Sequence, residues 1–400
     1  LYDGDSGASL ELSKGLSDAS QWAYSLATYL ETPESTELIV KYTDFIGTQA
    51  LVAGDGSGRG FNDSLIFQFS QDDLLRTVNI KSGSGLDNVT TRTFSFNVDR
   101  SDIDNDPRTY EVMGELGLGD TASGIFNIVG RTDYIDAKGK SMFHMNKDNT
   151  TMNVEGVTIQ NAVVGNGMNA SVFDLAKPLT NLNLKNVTLQ NNKGDSLYNA
   201  GTVTMENVTF KLGLDDKTNS IYNNNGKMYV TGDSNLFNVK IANYGINGKL
   251  YLSGETTVNG QIDNTAAMYL GSLPAGMEEK GNHPKLVTVN NKVENSGNIY
   301  VSNEVVLDGD LVGKVNDFSE YGTTEILDGA NFVFGKTKSN ISIDDNNQLL
   351  LRGTLDIQNG EVYFGTNDVA DENAVIKLDN NAKLYYAYDK GAYNSKPQLL

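Results

Sequence analysis

The sequence predicts an all-β chain folded as a stacked solenoid, a parallel β-helix, preceded by a smaller capping region. Three observations predict it: a strand template recurs, its copies are spaced at coil length, and the composition favours corners over helices. The template is clearest in Met152-Asn-Val154-Glu-Gly-Val157-Thr-Ile159, Leu182-Asn-Leu184-Lys-Asn-Val187-Thr-Leu189 and Val203-Thr-Met205-Glu-Asn-Val208-Thr-Phe210. Each copy reads apolar, polar, apolar, a bend pair, then apolar, polar, apolar. Alternation of period two marks a strand with one buried face. The bend pairs Glu155-Gly156, Lys185-Asn186 and Glu206-Asn207 put Gly or Asn where a left-handed backbone costs least. Each copy is therefore two short strands joined at a fixed corner, with both apolar faces inward.

With a corner one residue longer, the template continues from Met228, Leu250, Ile299 and Leu349. Copies thus start at 152, 182, 203, 228, 250, 299 and 349, and the final steps of 49 and 50 predict a degenerate copy inside each. A repeat of roughly 20 to 30 residues, all strand, is the signature of a solenoid in which no coil buries its inward side chains alone.

Composition agrees. With 41 Gly and 46 Asn against 6 Pro, the chain turns often yet keeps its ladder donors. It carries 51 acidic and 31 basic residues, a net charge of −20, which argues against nucleic acid and anionic membrane surfaces as partners. There is no apolar run long enough to span a bilayer, so direct membrane insertion is not expected. The absence of cysteine rules out disulfides and cysteine-ligated zinc, and is compatible with a bacterial exported protein. The chain opens at Leu1 and reads as a piece of a longer polypeptide.

Taken in order, residues 1–125 lack the repeat and are expected to form an α+β or irregular N-terminal cap. Ser17 to Glu31 is the helix candidate, with Ser17 or Asp18 as cap and Pro33 past its end. Leu38-Val40-Tyr42 and Leu65-Phe67-Phe69 alternate as strands. A repeat array needs an atypical end unit over its open edge. The β-helix is expected over 126–400. Its Asn-rich corners recur about once per coil in Leu197-Tyr-Asn-Ala-Gly201, Ile221-Tyr-Asn-Asn-Asn-Gly226 and Ile241-Ala-Asn-Tyr-Gly245. Like residues should stack there in ladders. Residues 271–286, with Pro274 and Pro284, read as a loop projecting from one coil.

The run Ile135-Asp-Ala-Lys-Gly-Lys-Ser-Met-Phe143, then Met152 to Ile159, Asn186-Val-Thr, Tyr198-Asn-Ala-Gly and Asn207-Val-Thr-Phe, resembles the passenger region of bacterial autotransporter adhesins. It is also similar to related right-handed β-helix surface proteins. The resemblance implies a right-handed helix, export through an outer-membrane barrel, surface display at the bacterial cell and a role in adhesion or as a structural spacer. The implied partners are a glycan or protein on a host or neighbouring cell, or other copies along the rod. At the corners, Tyr198, Asn199, Tyr222, Asn223 and Tyr244 are the expected binding residues, since Tyr and Asn combine contact area with adaptable hydrogen bonds.

Three constellations invite chemistry. Gly4-Asp5-Ser6-Gly7 resembles the nucleophile loop of chymotrypsin-like proteases, but the chain has only His144 and His283 and neither sits in a suitable motif. Asp174, Asp195, Asp215-Asp216 and Asp233 recur near coil spacing and could form a carboxylate row, as a polysaccharide-degrading enzyme of this fold would need. No basic partner keeps phase with them, so the expectation is a non-enzymatic protein with the glycan-degrading enzyme as alternative. No cofactor is required. Asp99, Asp102, Asp104 and Asp106 gather hard oxygen ligands of the kind calcium takes, although without EF-hand spacing. If they bind calcium, about 1 mM calcium should raise the melting temperature and a chelator lower it. Superimposed melting curves would remove the metal.

Overall fold

The computed structural model describes residues 148–386 apart from 165–170, 214–219, 278–285, 316–320 and 366. Outside that span it describes strands only: 8–12, 37–42, 49–52, 64–69, 78–81, 91–96, 109–112, 124–136, 143–145 and 398–399. The helix candidate at 17–31 and the aspartates from Asp99 to Asp106 lie outside the described residues. Within them the fold is all-β, a right-handed parallel β-helix with no α-helix. The chain forms two compact units, Leu1–Val203 with Leu212–Asn219, and Thr204–Lys211 with Ser220–Leu400.

The first unit shows how a coil is built. Strand Thr150–Gln160 bends at Gly156 (φ 70°), so that its two halves lie on adjacent faces of the coil. Strand Phe173–Leu175 makes the third face. Pairing is parallel and in register, with Met152 opposite Leu182, Val154 opposite Leu184, Ile159 opposite Leu189, and Phe173 between Phe143 and Leu197. The rings of Phe143 and Phe173 stack inside at 5.0 Å. Parallel pairing also reaches into the first 125 residues: Leu38 pairs with Ala8 on one side and with Leu65 on the other.

In the same register Leu10 lies opposite Val40. Leu65 in turn faces Arg92. The ladder thus begins before residue 126, in strands whose alternation is legible but whose corners do not match the template.

The second unit repeats the coil more regularly. Its first face stacks Lys227–Thr231, Lys249–Leu252, Ala267–Leu270, Asn298–Val301, Thr323–Ile326 and Gln348–Leu351. The second stacks Asn235–Phe237, Glu255–Val258, Leu286–Val289, Glu304–Leu307 and Asn331–Phe334. The third stacks Ser220–Asn224, Lys240–Tyr244, Ile262–Asn264, Val293–Asn295 and Leu311–Gly313. Both expected degenerate copies are present: Ala267–Leu270 lies between the copies at 250 and 299, and Thr323–Ile326 between those at 299 and 349.

The corners work as the bend residues predict. Asn186 (φ 53°) and Asn207 (φ 55°) are left-handed, as are Gly232 (φ 100°), Gly254 (φ 64°) and Asn303 (φ 55°) in the longer corners. At Gly254 a Cβ would also stand 2.2 Å from the carbonyl oxygen of Gly232, so only glycine fits there. Val187, Leu184, Met205, Val208, Val230, Leu252 and Val301 are all at most 1% exposed, each inside its own unit.

A buried amide ladder runs through the second unit at the corner between the third and first faces. Asn223 donates to Asn243 at 2.7 Å, Asn243 to Asn264 at 2.8 Å, Asn264 to Asn295 at 2.9 Å and Asn295 to Asn347 at 3.0 Å. Gly313, which pairs with Asn295, has no side chain for the next rung, and Asn347 from the following coil supplies it. An exposed ladder, Asn238–Asn259–Asn290, lies at another corner with steps of 2.7 and 2.8 Å. Truncating a buried rung strands two polar neighbours and opens space, whereas an exposed rung is replaced by water. Asn264→Ala should therefore cost about 2–4 kcal/mol and Asn259→Ala less than about 1 kcal/mol in urea unfolding. Equal losses at the two sites would contradict this assignment.

Candidate interaction surface

On the first face of the second unit, the inward residues flank one outward position. In four successive strands that position is tyrosine: Tyr229, Tyr251, Tyr269 and Tyr300 are in register. Their rings stack with centroid separations of 5.1, 4.3 and 4.9 Å and interplanar angles of 24°, 7° and 16°. Stacked aromatic pairs contribute beyond the area they bury. Burial holds the phenols of Tyr229, Tyr251 and Tyr300 above the ordinary tyrosine range, with Tyr251, also beside Tyr269 and Tyr229, pushed up to about 12. Beyond Tyr300 the row continues with Glu325, which Arg352 binds at 3.1 Å.

The third face of the same unit carries two of the expected binding residues. Tyr222 and Tyr244 stack at 6.4 Å, and the Tyr244 hydroxyl donates to Asp263 at 3.4 Å. Lys240 forms an ion pair with the same Asp263 carboxylate. Burial, followed by the Asp263 charge, raises the Tyr244 phenol. Tyr198, on the third face of the first unit, is half-buried and opposite Asp174. Asn199 and Asn223 are different: both are fully buried. The Asn199 side chain accepts from the backbone N–H of Gly201, and Asn223 starts the internal ladder. Their amides serve the coil's interior, which removes them from the outward surface that the sequence reading gave them. Each stands two residues after an inward apolar residue of its strand, Leu197 or Ile221, and alternation turns it inward as well.

Comparison of the chain with protein-family models, with curated proteins and with solved structures finds no match.

The aspartates whose spacing could form a row fall at different places in the coil. Asp174 is in the middle of a third-face strand, Asp195 precedes the third-face strand Leu197–Asn199, and Asp233 sits at a corner between the first and second faces. Asp174 and Asp195 are buried, and Asp215-Asp216 lies outside the described residues. Similar sequence spacing does not give similar phase when corners differ in length. Two outward carboxylates of the second unit pair with lysines: Glu294 with Lys292 at 2.5 Å and Lys314 at 3.8 Å, and Glu361 with Lys383 at 2.8 Å. Gly4-Asp5-Ser6-Gly7 and His283 lie outside the described residues, and His144 is a strand residue opposite Asp174. Of the loop expected at 271–286, residues Gly271 to Met277 are described, following the first-face strand Ala267–Leu270, and 278–285 lie outside the described residues.

The tyrosine row is the feature that sequence reasoning missed. Its signal is a tyrosine between the two apolar residues of three first-face copies, at 229, 251 and 300. The degenerate copy was expected between 250 and 299 but not placed, and its Tyr269 is the member that makes these a continuous stack. Since the folded-state pKa of Tyr251 lies above its unfolded value, folding favours the neutral phenol. Stability from this group is complete below about pH 10 and should be lost as pH rises to about 12. Urea midpoints measured across that window should fall more for the native chain than for Tyr251→Phe; parallel declines would refute the assignment.

Proposed function

We propose that this chain is a non-enzymatic, surface-displayed extracellular β-helix that acts in adhesion or as a structural spacer at the bacterial cell surface. The observation that carries the reading is the outward face of the second unit, where like side chains stack along the coils and carboxylates are neutralised by neighbouring lysines. Repeated weak contacts along such a surface gain strength by multivalency. A glycan-degrading enzyme instead needs two carboxylates, or a carboxylate and a cation, aimed at one glycosidic bond. The candidate aspartates do not share one phase of the coil, which supports the binding reading over that alternative. Calcium at Asp99, Asp102, Asp104 and Asp106 belongs to this proposal as a stabilising ion. Display through an outer-membrane barrel is what the resemblance implies, and the partners are a cell-surface glycan or protein, or other copies of the chain.

The test is a panel of pectin, polygalacturonate and neutral polysaccharides incubated with the chain, alongside beads coated with it and offered to cells. We expect no reducing ends and no unsaturated products, and retention of cells above uncoated beads. Product release that disappears when Asp215 and Asp216 are changed to Asn would replace this reading with the enzymatic one. Beads that retain nothing would leave only the spacer role.

A further inference from the structure

The apolar column of the second unit has an open edge at its last second-face strand. That strand is the first half of Val375–Tyr386, which pairs in parallel with Thr354–Phe364. Ile376 stands opposite Leu355 and Leu378 opposite Ile357, so both hold the inward phase. Leu355 and Ile357 are fully buried, yet Ile376 is 37% and Leu378 43% exposed. Among the described residues no strand lies on the far side of Val375–Leu378. An open edge presents unpaired backbone groups and is a template for another strand. The third-face half of the same strand shows a direction that this edge accepts. Tyr385 and Tyr386 pair antiparallel with Leu399 and Gln398, although the strand before them is parallel.

The open segment is complementary to itself. Lys377 and Asp379 flank Leu378, both are exposed, and neither has an ion-pair partner among the described residues. A parallel copy in register would set lysine on lysine and aspartate on aspartate, which is unfavourable. In an antiparallel pair, inward residues meet inward residues only when the two-fold axis passes through a residue. An axis at Lys377 opposes the two lysines. An axis at Ile376 sets Lys377 against Val375 and leaves the charges unmatched. An axis at Leu378 sets it against the partner's Leu378 and sets Lys377 against the partner's Asp379, twice by symmetry. We propose that Val375–Asp379 is a dimerisation edge for a second copy of this chain, paired antiparallel about Leu378. The inference rests on the part of the proposed function that names other copies as partners; it does not need adhesion, so cell retention and dimerisation fail separately.

Sedimentation equilibrium of the full chain, over about 1–500 μM, is the test. About 0.15 M salt screens the repulsion between copies of net charge −20. A monomer–dimer equilibrium is expected. Lys377→Asp opposes two acids, and Asp379→Lys opposes two lysines. Each should weaken the dimer by at least about tenfold. These variants shift net charge in opposite directions, so weakening by both is a local effect. Lys377→Asp with Asp379→Lys restores both pairs with the signs exchanged and should bring Kd back to within about threefold of the native chain. Leu378→Lys should weaken the dimer by at least about tenfold. All three positions are exposed, so circular dichroism should be unchanged throughout. A chain that stays monomeric would overturn the proposal and leave the edge to a different occupant. Tighter association in Lys377→Asp would also overturn it, because the lysine would then guard the edge against pairing. So would a double variant as weak as the single ones, or a dimer that none of the variants weakens.

Discussion

In-register parallel stacking is the constraint on which this molecule depends. Side chains alternate along a strand, so a slip of one residue would turn every inward residue of a coil to solvent. The corners enforce that phase. Gly156, Asn186 and Asn207 each take a left-handed φ at the same point of the short template, and Gly232, Gly254 and Asn303 do so in the longer one. Once phase is set, the inward column fills with Val, Leu, Ile, Met and Phe, and corner amides meet their counterparts on the next coil. The buried asparagine ladder is then both a result of register and a penalty against losing it, since a slipped coil would leave buried amides unpaired.

Stacking like on like also decides what the outer surface can carry. Identical neutral side chains gain from a ladder: aromatic rings stack and amides chain donor to acceptor. Identical charges repel. In a chain of net charge −20 this conflict has to be met locally, and the third face of the second unit shows how. Asp263 lies in register with Glu294, a like-charge pair on adjacent strands. Lys240 binds the first, while Lys292 and Lys314 reach the second. These are partly exposed pairs and each contributes little alone. Together they remove a repulsion that register would otherwise impose.

The sequence made the architecture legible because the fold is written in two local signals, alternation and corner residues. Six of the seven template copies, both missing copies and the inward residues from Leu184 to Val301 were readable on those grounds; in the copy from Met228 the second strand buries Asn235 and Phe237, one residue out of the phase read from Ser234 and Leu236. The corner amides were misjudged by type: Asn199 and Asn223 look like surface residues, but alternation from Leu197 and Ile221 puts them on the inward side. The spacing of the aspartates from Asp174 to Asp233 did not make a row for a different reason: spacing counts residues, whereas phase depends on how many of them each corner consumes. Strands near Leu38 and Leu65 were visible as alternation, but without the template's bend pairs they did not announce a shared register.

Corner length is also where this architecture can vary at least cost. Leu270 and Leu286 bracket an insertion, yet the strands on either side, Ala267–Leu270 and Leu286–Val289, keep their register with both neighbouring coils. The same holds between Leu311–Gly313 and Thr323–Ile326, where Val315 and Tyr321 form a small antiparallel bridge. Between Phe334 and Ser342, Asp308 accepts from the backbone and hydroxyl of Thr337, and Asp310 accepts from Ser342, which ties the excursion to the coil before it. Loop closure costs rise only slowly with length, so a corner can lengthen without disturbing the ladder. The strands are bound by register to repeat what lies on the adjacent coil. Corners are not, and any contact that must differ from one coil to the next has to be built there.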